Sequence, residues 1–262
     1  MMKTHNCVSL FLITLLAACS TVEDPVCSVS AVSIFDKAFT RFTFSKNSSG
    51  TATLDLIKVY DGTDSSYTYS YSYSSGALTN IMRAEAGLTT NYRATLTGTK
   101  VTRLSSKTAA DKNQDEIRLV YNNEQVTQSQ SWLANAAGTL FQIGHQVYTY
   151  DSKGNLIKSE TYIDLEAFFS LAFELDPSGY SPIMFGSIIY ESSNAANPLK
   201  GHYYLDNLDT SFMLNIPQKI TYKDMNGVTV SIDIYAIERD GSGLPTKATS
   251  GSKYVEATYT CQ

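Results

Sequence analysis

The stretch YTYDSKGNLIKSETY, residues Tyr148–Tyr162, decides the fold class. Asp151 can hydrogen-bond the backbone two residues further on, and Gly154 tolerates a positive φ, so the turn suits a type I turn with a glycine bulge. The residues on either side are mostly aromatic, β-branched or aliphatic, the types that fit a pleated sheet. The stretch therefore predicts a β-hairpin.

Looser versions of this hairpin pattern recur along the chain. The most similar, YSYSSGAL at residues 71–78, has the same sequence pattern with one residue fewer in the turn. Four weaker copies lie at residues 92–104, 120–126, 220–230 and 235–247. Their spacing is irregular, which argues against a solenoid or propeller. We therefore predict one all-β domain at residues 27–262, an antiparallel meander of hairpins that forms a curved or barrel-like sheet, open or closed.

The N-terminus has the features of a secretory signal. Lys3 precedes an apolar run, Cys7–Cys19, that is shorter than the roughly 20 residues a membrane-spanning helix needs. Leu16-Ala17-Ala18-Cys19 resembles a bacterial lipobox, in which the cysteine becomes the acylated first residue. An ordinary signal peptide cut nearby is the alternative. We predict a signal peptide at residues 1–18.

Acylation of Cys19 would tether the protein to a membrane. Each buried methylene contributes about 0.8 kcal/mol, so more than one acyl chain anchors stably. Residues 19–26 form the predicted tether, and Ser20 is similar to residues that direct outer-membrane sorting. The prediction is a cell-envelope lipoprotein of the outer membrane, in either leaflet.

Charge and cysteine usage narrow the possible partners. Loss of residues 1–18 takes the formal net charge from −5 to −6. Because nucleic-acid binding needs clustered Lys and Arg, we do not predict nucleic acid as a partner. Cys27 and Cys261 remain at opposite ends of the mature domain. In an oxidising compartment they can form a disulfide worth about 4–5 kcal/mol in the chain-entropy model. Two separate thiols are the alternative.

A row of tyrosines alternates with small hydroxyl residues in strict period-two order. The tyrosines are Tyr67, Tyr69, Tyr71 and Tyr73. One face of a strand here would be all tyrosine. Such a row is a possible ligand face on which a glycan stacks or a protein docks. The sequence favours the alternative, in which the rings cover a sheet face and pair across strands.

One helix is predicted, at Asp164–Leu175, with Asp164 as its cap and Pro177 beyond its end. Its apolar residues surround most of its circumference, so it must be buried on more than one side or contact lipid. Core packing is the leading interpretation, and a lid over an apolar cavity is the alternative. The possible lid residues are Phe168, Phe169 and Phe173. The segments 180–190 and 192–201 predict a buried strand and a loop.

Catalytic and metal-binding motifs are not evident. The sequence has no nucleophile elbow, P-loop, dinucleotide fingerprint or His-Glu-x-x-His motif. His145 and His202 are the histidines left after maturation, and residues 111–115 only partly match a calcium loop, so we interpret residues 107–116 as a solvated turn. We predict no catalytic residue, cofactor or metal. Two close carboxylates in a cleft, or His145 beside one, would favour an envelope hydrolase.

Several motifs together carry a family resemblance. They are the lipobox, the Tyr-x-Tyr-Asp-x-x-Gly-Asn-Leu wording at Tyr148–Leu156, and the segments NIPQKI at 215–220 and GLPTK at 243–247. With these the chain resembles a Bacteroidetes lipoprotein family of unknown function. The resemblance implies a porin-like fold of antiparallel strands and no known functional residues. Similar wording occurs in YD-repeat toxin shells, which are larger and more regularly spaced.

These observations predict a non-enzymatic, lipid-anchored envelope protein that binds a ligand or partner, such as a glycan or an envelope protein. One alternative is a carrier of an apolar molecule in a barrel cavity. A second is a structural accessory subunit of an envelope complex, and the third is an envelope hydrolase.

Overall fold

A computed structural model describes residues 27–35, 39–46, 51–61, 64–108, 110–165, 167 and 181–261. The strands are β1 Cys27–Phe35, β2 Phe39–Lys46, β3 Ala52–Asp61, β4 Asp64–Ser74, β5 Ala77–Glu85, β6 Leu88–Thr97, β7 Lys100–Lys107, β8 Asn113–Asn122, β9 Gln125–Ala134, β10 Leu140–Tyr150, β11 Leu156–Ile163, β12 Ile183–Ala196, β13 Asn215–Asp224, β14 Thr229–Ile234, β15 Ala236–Arg239, β16 Pro245–Ser250 and β17 Lys253–Cys261. A short helix, α1 at Leu208–Phe212, lies between β12 and β13.

The predicted helix at Asp164–Leu175 falls mainly outside the described residues. Leu165 and Ala167 have helical backbone, and Ala167 is buried. The lid residues Phe168, Phe169 and Phe173 lie outside the described part of the chain, as does the lipidation residue Cys19. Their roles stay predictions.

The strands form one antiparallel sheet that nearly closes into a barrel. Strands β1 to β13 each pair with the next, β15 pairs with β16 and β16 with β17, and β17 pairs back with β1. Only Tyr235 separates β14 from β15, so these are two parts of one bent strand, the first beside β13 and the second beside β16. The predicted all-β, barrel-like class is confirmed.

The hairpin that the sequence placed at Tyr148–Tyr162 is formed by β10 and β11. The Asp151 amide donates to the Asn155 carbonyl at 2.9 Å, and Gly154 has a φ of 86°. One Asp151 carboxylate oxygen accepts from the amides of Lys153 and Asn155 at 2.9 and 2.8 Å. The aspartate thus holds the turn, as predicted.

The same five-residue turn recurs elsewhere in the barrel. The carboxylates of Asp224 and Asp240 accept hydrogen bonds from two backbone amides of their turns in the same way, and the side-chain oxygen of Asn135 does the same. The hairpin at 71–78 has instead a two-residue turn, in which Ser75 and Gly76 both have positive φ. These are the turns whose twist matches that of the strands they join.

Two local predictions hold for only part of their range, since residues 110–112 and 197–201 do lie outside the strands. Residues 107–116 were interpreted as a solvated turn, but β8 already begins at Asn113, and Glu116 is buried against Arg118. Residues 192–201 were predicted as a loop, but β12 continues to Ala196. In both segments a partner strand satisfies the backbone where the side chains gave little strand signal.

Cys27 and Cys261 are joined by a disulfide. They face each other across β1 and β17, the first and last strands. The bond lies at the seam where the sheet meets itself, at the end of the barrel that we call the Cys27 end.

The barrel interior is apolar and packed, while the outer face is largely polar. On β2, Phe42 and Phe44 point inward and are buried, whereas Arg41 and Thr43 are exposed. Each such apolar side chain contributes about 1.5–3 kcal/mol by its burial. Outside, ion pairs such as Lys247–Glu256 link neighbouring strands. No helix in the described part of the chain is long and apolar enough to cross a membrane.

Candidate functional site

Residues 197–214, between β12 and β13, fold back into the barrel, and we call them the inner segment. Its base is closed where the Asn197 amide donates to the Leu214 carbonyl at 3.1 Å. The Asn197 side chain also donates to the carbonyls of Thr210 and Met213, at 2.7 and 3.1 Å. One asparagine therefore ties both ends of the segment together.

The tyrosine row of β4 faces the interior, and three of its four hydroxyls bond the inner segment. Tyr67 and Tyr69 donate their hydroxyls to the two carboxylate oxygens of Asp206, at 2.8 and 2.7 Å. Tyr71 donates to the Tyr203 carbonyl at 2.7 Å, and Tyr73 donates to the Leu54 carbonyl of β3 at 3.0 Å.

Tyr69 and Tyr71 are only 2% and 8% exposed. A glycan or protein cannot stack on these two rings, so the centre of the row is not open to a ligand, while Tyr67 and Tyr73 are half-buried. Its rings cover the inner face of the sheet, which is the interpretation that the sequence favoured.

Burial also sets the protonation of these tyrosines. Desolvation first, and then the hydrogen bond to Asp206, raises the pKa of Tyr67 to about 12. The same two causes raise the pKa of Tyr69 further. Both hydroxyls therefore keep their protons and remain donors to Asp206 at physiological pH.

A second carboxylate of the inner segment contacts the opposite wall. Asp209, on α1, is 3% exposed and accepts hydrogen bonds from Ser159 of β11, at 2.6 Å, and from Tyr190 of β12. Burial raises the pKa of Asp209, although the two hydrogen bonds oppose that shift. The two hydroxyls and a backbone hydrogen bond from Asp209 itself stabilise this carboxylate.

Aromatic side chains also pack between the inner segment and the barrel wall. Tyr204 packs edge-on against Phe42 of β2, with ring centroids 5.2 Å apart, and Phe212 packs edge-on against Tyr148 of β10 at 5.1 Å. His202 packs against Phe44, and burial lowers its pKa to about 4. His202 is therefore a neutral core residue at physiological pH.

An apolar cavity of about 330 Å³ lies between the inner segment and the wall formed by β1, β12, β13 and β17. The inner segment contributes Leu199 and Met213, and the wall contributes Ile188, Ile220 and Val255. Ligand pockets are typically about 300–1,000 Å³ and lined by apolar and aromatic side chains. The cavity meets both criteria at the small end of the size range.

A second cavity, of about 300 Å³, lies on the β8–β10 side of the inner segment. Tyr121, Tyr150 and Tyr203 line it, and the exposed residues Lys153 and Lys200 stand at its rim. The Tyr121 and Tyr150 hydroxyls are already bonded to the Val101 and Val126 carbonyls. This cavity is therefore less apolar than the first, and its tyrosine donors are occupied.

His145 lies beside a carboxylate, which is one of the two features that would favour a hydrolase. Its Nδ1 is 3.6 Å from Asp164, which also accepts a hydrogen bond from Gln142 at 2.7 Å. The imidazole stacks on Tyr162, with centroids 4.8 Å apart. A hydrolytic triad also needs a nucleophile bonded to the base. In the part of the chain that the structure describes, no serine, threonine or cysteine side chain bonds His145.

The acidic residues that only partly matched a calcium loop separate in the structure. Asp111 is exposed and pairs with Lys107, whereas Asp115 points inward and accepts from Tyr92 at 2.8 Å. Among the described residues no three His, Cys, Asp or Glu side chains gather as metal ligands.

The barrel is similar in fold to a solved protein that is described as porin-like. A porin-like protein from Bacteroides vulgatus superposes with a TM-score of 0.54 at 10% identity, over 90% of this chain and 99% of the other. A porin-like protein from Bacteroides uniformis gives 0.49 at 11% identity, over 89% and 98%. A protein of unknown function from Bacteroides fragilis gives 0.23 at 9% identity, over 64% and 93%.

At these identities the likeness shows the fold alone, and only the first match is close enough to support it. The comparison confirms the porin-like antiparallel fold that the resemblance implied. No protein-family model and no curated protein sequence matches the chain. Family membership and lipidation stay predictions.

Proposed function

We propose that this chain is a non-enzymatic, lipid-anchored envelope protein whose barrel binds a small apolar molecule beside the inner segment. The 330 Å³ apolar cavity is the observation that carries the proposal. It equals the volume of roughly eleven liquid water molecules, at about 30 Å³ each. The ligand class is therefore a single aromatic ring or a short acyl chain rather than a whole lipid.

The position of the inner segment favours a carrier function and not an open pore. It is bonded to β4 on one side and to β11 and β12 on the other, so it fills the part of the interior that an open channel would occupy. Preformed pockets lined mainly by apolar and aromatic side chains are the usual binding sites of small apolar molecules. The buried tyrosine row argues against the glycan-platform version of a binding module.

The outer face supports a tethered barrel rather than one embedded in lipid. Charged pairs such as Lys158–Glu160 and Lys247–Glu256 lie on the outward faces of their strands. Charged side chains facing the middle of a bilayer cost about 2–4 kcal/mol each for Lys or Arg. An acylated Cys19 would hold such a barrel at the membrane without inserting it.

Native mass spectrometry of the mature protein, made in a Bacteroides host and held in amphipol, tests the carrier. We expect a retained small apolar molecule on the wild-type chain. Val255→Trp should expel it, because Val255 lines the cavity. The matched control, Val120→Trp, adds the same bulk at an outward position that is 41% exposed and should retain it.

A titration with benzene, followed by NMR of the Met213 methyl group, covers the case in which the ligand is lost during purification. Saturable shifts that disappear in Val255→Trp support the proposal. Unchanged Met213 signals together with bare polypeptide mass contradict it.

Lipid anchoring has its own test. Mass spectrometry of the N-terminal peptide should find acyl chains on Cys19, and Cys19→Ala should release the protein from membranes. An unmodified Cys19 in a membrane fraction would contradict the anchor and leave the cavity proposal standing.

A further inference from the structure

The outer face of β14 is apolar, in contrast to most of the barrel. Val230, Ile232 and Ile234 alternate outward and are 69%, 51% and 67% exposed. Phe185 of β12 and Val228 of the β13–β14 turn are also exposed, at 61% each. Exposed apolar surface of this kind marks interaction sites in soluble domains.

The same strand has an unpaired backbone edge. The Tyr235 amide donates to the Gln218 carbonyl of β13, so the amides of Ser231 and Asp233 also face β13, and those of Val230 and Ile232 face away. On the side away from β13, pairing with β16 begins only at Ala236. The Ile234 amide, just before it, donates a hydrogen bond to the Ser250 hydroxyl. Within the described residues no strand lies beside Thr229–Asp233.

We propose that this edge binds an extended segment of a partner polypeptide, which adds to the sheet as a strand beside β14. The unpaired donors and acceptors of Val230 and Ile232 recognise peptide backbone, and the apolar outer face recognises a segment with apolar residues at alternate positions. Strand addition of this kind takes affinity from main-chain hydrogen bonds and specificity from alternate side chains.

The site also lies where a partner can reach it. The β13–β14 turn is at the end of the barrel opposite Cys27, because successive strands alternate in direction from β1 onward. If the tether holds the Cys27 end at the membrane, as the proposed function has it, the β14 edge faces away from the bilayer.

A second copy of the chain fits the edge less well, again on the basis of the proposed anchor. Antiparallel pairing of two β14 edges needs a twofold axis perpendicular to the sheet, which turns the second barrel end over end. The seven residues Ser20–Val26 reach about 23 Å, less than the roughly 30 Å length of a nine-residue strand such as β1. Both anchors could not then reach one leaflet.

Hydrogen exchange of the mature protein in amphipol tests whether the edge is free. We expect the amides of Val230 and Ile232 to exchange at least tenfold faster than those of Ser231 and Asp233, which bond β13. Slow exchange at all four positions would mean that another part of the chain or a second copy already covers the edge, and would overturn the proposal.

Binding is measured with a synthetic peptide of residues 226–235, NGVTVSIDIY, which has the required alternation. We expect saturable binding by fluorescence anisotropy, and at least tenfold weaker binding by Ile232→Pro, which removes an edge amide without touching the β13 ladder. Leu133→Thr, at a 41% exposed position on the fully paired strand β9, is the matched control and should bind as wild type.

A peptide N-methylated at alternate residues tests the same chemistry without altering the protein, in case Ile232→Pro fails to fold. It should bind at least tenfold more weakly than the parent peptide. Equal binding of both peptides, or a dimer mass in the native spectrum, would overturn the inference. The test of the cavity and the test of Cys19 acylation do not involve β14. Failure of the proposed function can therefore be told apart from failure of the proposed β14 edge site.

Discussion

Strands β4 and β14 have the same alternating pattern and opposite placements. On β4 the large residues, such as Tyr69 and Tyr71, point into the barrel, and the small hydroxyl residues point outward. On β14 the large residues, such as Ile232, point outward, and Asp233 points inward to pair with Lys253 at 2.8 Å. Period-two alternation thus predicts a strand in both places without predicting which face is buried.

The difference comes from what each inner face meets. The tyrosines of β4 meet Asp206 and Tyr203 of the inner segment, which supply hydrogen-bond acceptors for their hydroxyls. The inner face of β14 meets the Lys253 ammonium group, which compensates an aspartate and not an isoleucine. The groups that each inner face contacts therefore favour opposite orientations of the two strands.

Of the substitutions that test this difference between β4 and β14, Tyr69→Ala should cause the largest loss of stability. The ring is 2% exposed, and truncating a buried aromatic side chain costs about 3–5 kcal/mol. We expect that loss in the free energy of unfolding, measured by urea denaturation. A change below about 1 kcal/mol would mean that the tyrosine row does not pack as described.

Tyr69→Phe separates the ring from its hydroxyl. It keeps the packing and removes one donor to Asp206, and a hydrogen bond to a charged group contributes about 1.5–3 kcal/mol. The loss should therefore be smaller than that of Tyr69→Ala. Equal losses would show that the hydrogen bond, rather than the ring, holds the inner segment at this wall.

The pH dependence of Asp209 sharpens the contrast between a carboxylate held by hydroxyls and one held by a lysine. Burial raises the pKa of Asp209 above its ordinary 3.8. At a pH between the pKa of Asp209 in the unfolded chain and its higher pKa in the folded state, the folded state binds more protons than the unfolded chain. The free energy of unfolding therefore falls as pH rises through that range. Asp209→Asn removes that titration.

We therefore expect the stability of wild type, relative to Asp209→Asn, to fall as pH rises from 3.8 and to level off above the folded pKa. Urea denaturation of both proteins across that range measures the difference. A rise with pH would mean that the bonds from Ser159 and Tyr190 outweigh desolvation.

Ile232→Thr should have the smallest effect of all. The side chain is 51% exposed, and substitutions at exposed positions change stability by about 0.5 kcal/mol or less. The same urea measurement checks it. A loss of 2 kcal/mol or more, on the scale of a buried residue, would place Ile232 inside an interface that the isolated chain already forms.

Much of the fold follows from local chemistry that a single sequence carries. Asp151 and Gly154 specify their turn through atoms within five residues, so the hairpin was predictable. The extent of β12 through Ala196 was not, because its ladder with β13 depends on Asn215, nineteen positions away in the chain. Closure of the sheet likewise depends on β1 meeting β17, which no local pattern encodes.

The candidate site was harder to predict than the fold. The inner segment has few signals of its own: residues 192–201 only indicated a loop, and α1 has five residues. Its position depends on partners such as Tyr69 and Ser159, which lie 137 and 50 residues from the aspartates they bind. One signal was available, since Asp206 and Asp209 stand among aromatic and apolar residues at 203–213, where carboxylates need buried partners.

The Cys27–Cys261 disulfide has a mechanical consequence. A pull on the residues before Cys27, where the predicted anchor lies, would peel a terminal β1 strand away from its neighbours one hydrogen-bonded pair at a time. Because Cys27 is bonded to the end of β17, the pull divides between the first and last strands and enters the sheet from both sides of the seam. The first and last strands therefore share the load at the tether, and neither can separate from the sheet without the other.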